Sequence, residues 1–536
     1  MNDYFNFINW NDVFCDLNAN DSFNKWLSIY QSGCELFIPT LRTDNNKRIK
    51  DPLWMNMELK RICKRKRDLW FLCRNSNFRN NMLVSEYKQL NSAVKKMVKI
   101  NIREFEQNLA RNARTNPKLV YRYINSKTTT KESIKAIFVN VEGDDKDAQA
   151  DKQTTTDGAK IASELNKYFV SVFIKEDTVN IPKVGEKFNI ECPNPSFTEG
   201  TIRLYIDKLN AHKAIGVDNV HPKVLKKCSV SLCKPLSLIF TKSYESGVVP
   251  HLWRKANIVP LFKKGNKLEP SNYRPISLTS IVCKVMERII RDEITNHLVK
   301  NKLIIKQQHG FVNKKNCMTN LLETMDFITK ALADGYNIDE ILLDFAKAFD
   351  SVLLIRLCLK LDYFGIRNKL LSWCKSFLSG RWQRVIIGEF MSDWEEIDSG
   401  VPQGSVLGPL FFVMLINDLL TRIKNEGKLF ADDTKLFAVI VSELDNLELQ
   451  NDLNILKEWT NDWQIKFNSL KCKVMYFGNR NPKYEYKIDG VTLEEGKLEK
   501  DLGIFISNDN GWSHHISYES IKPINKWVES STHLSS

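Results

Sequence analysis

The sequence predicts an α+β fold preceded by an all-helical, basic extension. Three observations point there. Apolar residues recur at helical spacing through roughly the first quarter of the chain. From about residue 198 onward, short β-branched and aromatic runs alternate with helical stretches. Two of those runs end in carboxylates. The chain has 536 residues, 43% apolar and 26% charged, which suits several domains around a large core and argues against wholesale disorder. Its longest nearly pure apolar stretch, Val406–Ile416, is interrupted by Gly408 and Pro409 and is too short to span a bilayer, so no membrane partner is expected. The N-terminus shows no basic-then-apolar leader, and an intracellular protein is expected. Twelve cysteines without a CxxC pair read as reduced thiols, and the eight histidines show no zinc-ligand spacing.

Taken in order, residues 1–135 read as a helical extension, with helices over Trp10–Leu17, Phe23–Phe37, Leu53–Cys73 and Leu83–Asn112. The net charge of +14 is concentrated here, since residues 47–127 hold 21 Lys/Arg against 6 Asp/Glu. That bias suits a polyanion such as nucleic acid, with a solvated helical surface as the plainer reading. The interleaved Trp54, Trp70, Phe71, Tyr87 and Phe105 are expected mostly in the core. Residues 136–197 read as a linker with a short hairpin around IFVNV and a helix over Gly158–Phe173. Beyond it, strands are expected at Ala256–Phe262, Ile338–Phe345, Arg384–Ile387, Lys428–Ala431, Leu436–Ile440 and Lys473–Phe477. Helices are expected at Pro222–Lys227, Lys284–Lys302, Met318–Ala333, Leu354–Phe364, Leu410–Ile423 and Asn446–Trp463.

The chemistry sits in two segments, IDEILLDFAKAFD (Ile338–Asp350) and KLFADDTKLF (Lys428–Phe437). In the first, an apolar run ends at Asp344. The second reads as two strands of a hairpin joined at Asp432-Asp433. A lone Asp-Asp pair is usually a polar turn. Three acids brought together, however, repel unless protonated or neutralised by cations. Mg²⁺ suits them, because it takes oxygen ligands and keeps positions open for phosphate oxygens. A pair of such ions supports phosphoryl transfer to a hydroxyl.

The flanking segments carry a resemblance. LLDFAKAFDSV (Leu342–Val352), SGVPQGSVLGPLFF (Ser399–Phe412) and FADD (Phe430–Asp433) resemble, in order and spacing, the palm motifs of reverse transcriptases from non-LTR (LINE-type, jockey-like) retrotransposons. NYRPISLTSIVCKVMERII (Asn272–Ile290), QHGFVNKKNC (Gln308–Cys317) and DLGIFIS (Asp501–Ser507) extend it, so that it covers about residues 198–515.

The resemblance implies a right-hand polymerase with an antiparallel-sheet palm and helical fingers, behind the basic all-α extension. Fingers and palm entry would span 198–335, the palm 336–507 and a truncated thumb entry 508–536. It implies an RNA-directed DNA polymerase that uses two Mg²⁺ (or Mn²⁺) ions, an RNA template, a DNA primer and dNTPs, in the cytoplasm and nucleus. Asp344, Asp432 and Asp433 would be catalytic metal ligands, with the backbone carbonyl of Phe345 a further ligand. Phe349 would lie under the sugar and exclude a 2′-hydroxyl. Gln403 and Gly404 would meet the nucleotide or template, and Arg274 with Lys263 or Lys264 the triphosphate. Lys471 would protonate the leaving pyrophosphate, or be a plain surface lysine. Asp350 and Asp218 are expected as structural acceptors, and Trp459 and Trp463 as palm packing. Leu353-Leu354 stand where the family commonly has Pro-His. No His stands among residues 1–211 to serve an upstream endonuclease, and only about twenty residues follow GWSHHI. A chain without endonuclease or most of the thumb is expected, with low processivity. The alternative is a truncated, non-catalytic RNA-binding remnant.

Overall fold

The computed structural model describes residues 1–39, 51–112, 119, 120, 123, 134–140, 152–509, 511–518 and 520. The chain divides into two compact units: Met1–Ile38 with Ser133–Glu529, and Pro39–Glu132 with Ser530–Ser536. The smaller unit is built on two helices, Met57–Asn75 and Asn81–Arg111, packed on each other. Asn56 and Asn80 cap them, accepting from the Leu59 amide and from the Met82 and Leu83 amides. Among the described residues Leu59, Leu69, Cys73, Val94 and Leu109 are buried, and most of the Lys and Arg side chains are exposed. The aromatics differ from expectation. Trp54, Trp70, Tyr87 and Phe105 are only half-buried and Phe71 is exposed, because a pair of helices has one narrow seam to fill.

In the larger unit the helices Asn2–Asn6, Trp10–Val13 and Ala19–Phe37 pack on Ser229–Ser246. Phe5, Trp10, Phe23, Trp26 and Tyr30 join the principal core there. Lys242 ties the arrangement, its ammonium donating to the Phe14 and Leu17 carbonyls. Residues 1–38 thus belong with the main body, whereas the expected division at 135 groups them with the basic helices. The IFVNV strand, Ile137–Asn140, pairs antiparallel with Lys152–Thr155.

Five strands form the sheet that positions the site, in the order Glu494–Glu495, Lys473–Phe477, Asn337–Leu343, Asp433–Ile440, Glu426–Phe430. All pairings are antiparallel except that of the short Glu494–Glu495 strand. Alternation sorts the side chains. Ile341, Leu343, Leu436, Ala438 and Val474 join the principal core, with Leu449, Leu453 and Leu456 of the helix Glu443–Asp462. Ile338, Phe437, Met475 and Phe477 face a separate cluster with Leu321 and Ile328 of the helix Cys317–Ala333 and Ile506 of the hairpin Leu498–Ser507.

A second sheet runs Tyr273–Leu278, Lys255–Phe262, Arg381–Ile387, Phe390–Met391, with Glu395–Ile397 also pairing Arg381–Ile387. The region expected as helical fingers therefore also carries strands. Tyr273–Leu278 escapes the sequence reading because Pro275 breaks its pattern. As an edge strand it tolerates a proline, and Pro275 sits opposite Pro260. The helix expected over Leu410–Ile423 is Gly408–Leu415, with turns beyond it. Among the described residues no helix is long and apolar enough to cross a membrane.

Candidate active site

Asp344 is the first residue beyond the central strand Asn337–Leu343. The register sets Thr434 against Leu343, so Asp433 lies opposite Asp344 at the same end of the sheet. Phe430 pairs with Asp433, which makes Ala431 and Asp432 the hairpin tip and Asp433 the first strand residue. The tip is thus one residue earlier than the sequence suggests. Two segments nearly ninety residues apart meet here because each strand is held by an apolar face.

All three acids line one cleft of about 710 Å³, together with Lys263, Arg274, Phe345, Lys347, Phe349, Asp350, Gln403 and Lys471. Lys264 is not among the lining residues, nor is Gly404. Burial raises the Asp432 carboxyl, the neighbouring Asp344 adds to this, and Arg274 and Lys263 oppose it. Asp433 is pushed up to about 6 by the surrounding protein mass and by Asp432, Asp501 and Asp344, with Lys435 opposing. Asp433 still keeps an exposed edge in the cleft, so like-charge repulsion weighs heavily beside the loss of water. Lys263 is lowered by burial, then by Arg274 and Lys471. Acids and cations thus line the same cleft.

The donor chemistry, hard carboxylate oxygens under mutual repulsion, fits a divalent ion. As the side chains stand, however, no group of three or more His, Cys, Asp or Glu among the described residues is gathered closely enough to hold one. Asp344 is turned instead to Lys471, whose Nζ lies 3.1 Å from Oδ2. Both groups are well exposed, so the pair is weak and an entering cation can displace the ammonium.

The remaining predicted residues fall as follows. The Phe345 ring is buried, stacked on Phe467 at 4.6 Å between centroids and edge-on to Phe412 at 6.3 Å. Phe349 stacks on the other side of the same chain of rings, 5.0 Å from Phe412, and its half-buried edge reaches the cleft. Gln403 donates its Nε2 to Asp350 Oδ1 at 3.0 Å and Oδ2 at 3.2 Å, and its carbonyl accepts from the Ser277 amide. Gly404 has φ +119°, and a Cβ there would lie 2.8 Å from the Ser277 carbonyl oxygen. Arg274 is exposed on its edge strand. Asp350 is buried, with its carboxyl raised by that burial and held by Gln403. Asp218 is buried and accepts from the Val220 amide. Trp459 and Trp463 stack at 5.8 Å, with the Lys360 ammonium over Trp463.

One cleft wall escapes the sequence reading. Tyr168 and Phe169, at the end of the helix Gly158–Val170, and Val172 line the cleft. The Lys347 ammonium lies over the Tyr168 ring at 4.9 Å. An aromatic pair ending a helix in a polar linker carries no local mark of so distant a contact.

Residues 262–516 match the family described as reverse transcriptase (RNA-dependent DNA polymerase). This stretch, a little under half of the chain, is thus similar to a reverse transcriptase domain. In sequence the chain is also similar to RNA-directed DNA polymerases of mobile elements. It is 28% identical over 341 residues to the RNA-directed DNA polymerase from mobile element jockey of Drosophila melanogaster, covering 62% of this chain and 37% of that protein. It is 27% identical over 350 residues to the probable RNA-directed DNA polymerase from transposon X-element of the same fly, covering 62% and 38%. The chain thus spans less than two fifths of the length of these relatives. A telomerase from Candida tropicalis truncated from its C-terminal domain aligns at a TM-score of 0.34 and 13% identity, covering 54% of this chain and 59% of that one, too loose a likeness to weigh.

Proposed function

We propose that this chain is an RNA-directed DNA polymerase that adds dNTPs to a primer 3′-hydroxyl on an RNA template. The observation that carries this reading is the meeting of Asp344, Asp432 and Asp433 at one end of a sheet, in a cleft that also holds Arg274 and Lys263. Residues 198–335 would serve as fingers and palm entry and 336–507 as palm. A retroelement polymerase of this kind would meet its RNA in the cytoplasm and its target DNA in the nucleus.

In the mechanism, Arg274 and Lys263 grip the triphosphate oxygens, where a guanidinium offers paired donors. Asp344, Asp432 and Asp433 would hold two Mg²⁺ ions, with Mn²⁺ as a substitute and the Phe345 carbonyl as a further donor. Those ions would supply charge neutralisation at the leaving pyrophosphate and activation of the attacking hydroxyl. Lys471, which lines the same cleft, would hold the proton that goes to the pyrophosphate. Phe349, stiffened by Phe412, sits beneath the sugar and leaves no room for a 2′-hydroxyl. The Asp350 carboxylate and the Ser277 amide fix Gln403 in the cleft, against template or nucleotide. The exposed basic residues of Met57–Asn75 and Asn81–Arg111 suit RNA phosphates.

Primer extension on poly(rA)/oligo(dT) with Mg²⁺ tests the reading, comparing the chain with an Asp432→Asn, Asp433→Asn variant. Extension by the former and none by the latter is expected. RNA binding by both proteins, with synthesis by neither, would instead mark a non-catalytic RNA-binding chain.

A further inference from the structure

Gln308 does not line the cleft, yet its side chain ends at the turn that carries Asp432 and Asp433. It is fully buried. Its Oε1 accepts from the Ala431 amide at 3.1 Å and from the Gly310 amide at 2.7 Å. Ala431 is the first residue of the hairpin tip, so no ladder bond within the hairpin satisfies its amide. It also has φ +54°, a left-handed conformation that costs a residue with a Cβ about 1 kcal/mol and needs holding.

The surroundings converge on the same turn. Residues 307–309 run beside the strand that enters it. Leu429 donates to the Gln307 carbonyl and accepts from the His309 amide, at 3.0 and 2.8 Å. Gly310 then crosses the tip so closely that a Cβ would lie 2.4 Å from the Ala431 nitrogen. The Gln308 Nε2, in contrast, is buried and meets no partner among the described residues. A residue present only to fill space would not bring in an amide that leaves a buried donor unpaired. The side chain's hydrogen bonds are those that pin the turn.

We propose that Gln308 is a positioning residue for the polymerase reaction. It fixes the left-handed Ala431, and thereby the aim of Asp432 and Asp433 into the cleft. This rests on the polymerase reading above.

Gln308→Met keeps the shape and removes the acceptor. In primer extension its kcat falls 10- to 100-fold, while the KM for dTTP and the Kd for poly(rA)/oligo(dT) stay within twofold and the melting transition is kept. Its Mn²⁺ binding, read from the free-ion EPR signal, weakens several-fold. Ala431→Gly, which makes the left-handed turn cost-free, restores part of kcat in the Gln308→Met background. That rescue is not expected of a general packing defect. Gly310→Ala presses on the same turn with Gln308 intact and gives the same kcat-selective loss, which serves if Gln308→Met fails to fold. A wild-type chain that makes no DNA refutes the polymerase reading and this proposal with it. An active wild type beside a variant with kcat within twofold refutes this proposal alone, as does a loss that Ala431→Gly leaves unchanged.

Discussion

Asp339 and Glu340 are neighbours on the central strand, point to opposite faces of one sheet, and are both fully buried. Their surroundings could hardly differ more. Asp339 Oδ2 accepts from Tyr486 Oη at 2.6 Å and Asn446 Nδ2 at 3.0 Å, and Oδ1 from Asn481 Nδ2 at 2.6 Å. Glu340 lies between Phe437 and Met475 in the register, and neither of its oxygens meets a partner among the described residues. Burial pushes its carboxyl up to about 8, with Lys435 opposing and Asp501 adding. The Asp339 face is a fastener: burial raises its carboxyl too, but three donors oppose that rise. The Glu340 face is the one that ends in Asp433 and Asp344 and holds the buried Lys435–Asp501 ion pair. Its charges are crowded rather than satisfied, which lowers stability and makes a place for cations.

Variants sharpen this contrast. The largest effect belongs to Asp433→Asn, on the crowded face. Primer extension should fall at least about 1,000-fold while the melting temperature holds or rises, since one repelling charge is gone. On the fastened face, Asp339→Ala takes the acceptor from Tyr486, Asn446 and Asn481 and should cost about 3 kcal/mol in chemical denaturation, with little change in activity per folded molecule. If both variants lost stability alike, the distinction between the faces would collapse.

Glu340→Gln should do the reverse of Asp339→Ala, and only in a defined pH window. Glu340 ionises near 4.5 in an unfolded chain and near 8 in the folded one. The folded state therefore holds the proton longer, and wild-type stability declines as pH rises from about 4.5 towards 8. The variant escapes that decline. It should match wild type below pH 4.5 and exceed it by up to about 4 kcal/mol at pH 8, followed by thermal melts across the range. The smallest effect is asked of Phe349, off the sheet. Phe349→Ala should raise ribonucleotide incorporation relative to deoxyribonucleotide about 10-fold, with unchanged sugar selectivity counting against its place under the sugar.

The sheet and its acids were legible because each element advertises itself locally. Ile338–Asp344 ends in a carboxylate, Leu429–Ile440 holds two apolar runs joined at Asp432-Asp433, and the helices around them keep a helical period. What stayed hidden depends on partners far along the chain. Tyr273–Leu278 becomes a strand only because Lys255–Phe262 lies beside it, whatever Pro275 suggests. Phe5, Trp10 and Phe23 resemble the helices that follow them in sequence, yet pack on Ser229–Ser246. Lys471 reads as a proton donor from its motif, while its pairing with Asp344 is visible only in three dimensions.

The helix Gly158–Val170 lies about ninety residues upstream of the stretch that matches the family, and its Tyr168 and Phe169 nevertheless line the cleft that holds the three acids. An expression design trimmed to the recognisable domain would discard one wall of that cleft. Laboratory versions of this protein should therefore keep this helix together with residues 1–38, whose Phe5, Trp10 and Trp26 belong to the principal core.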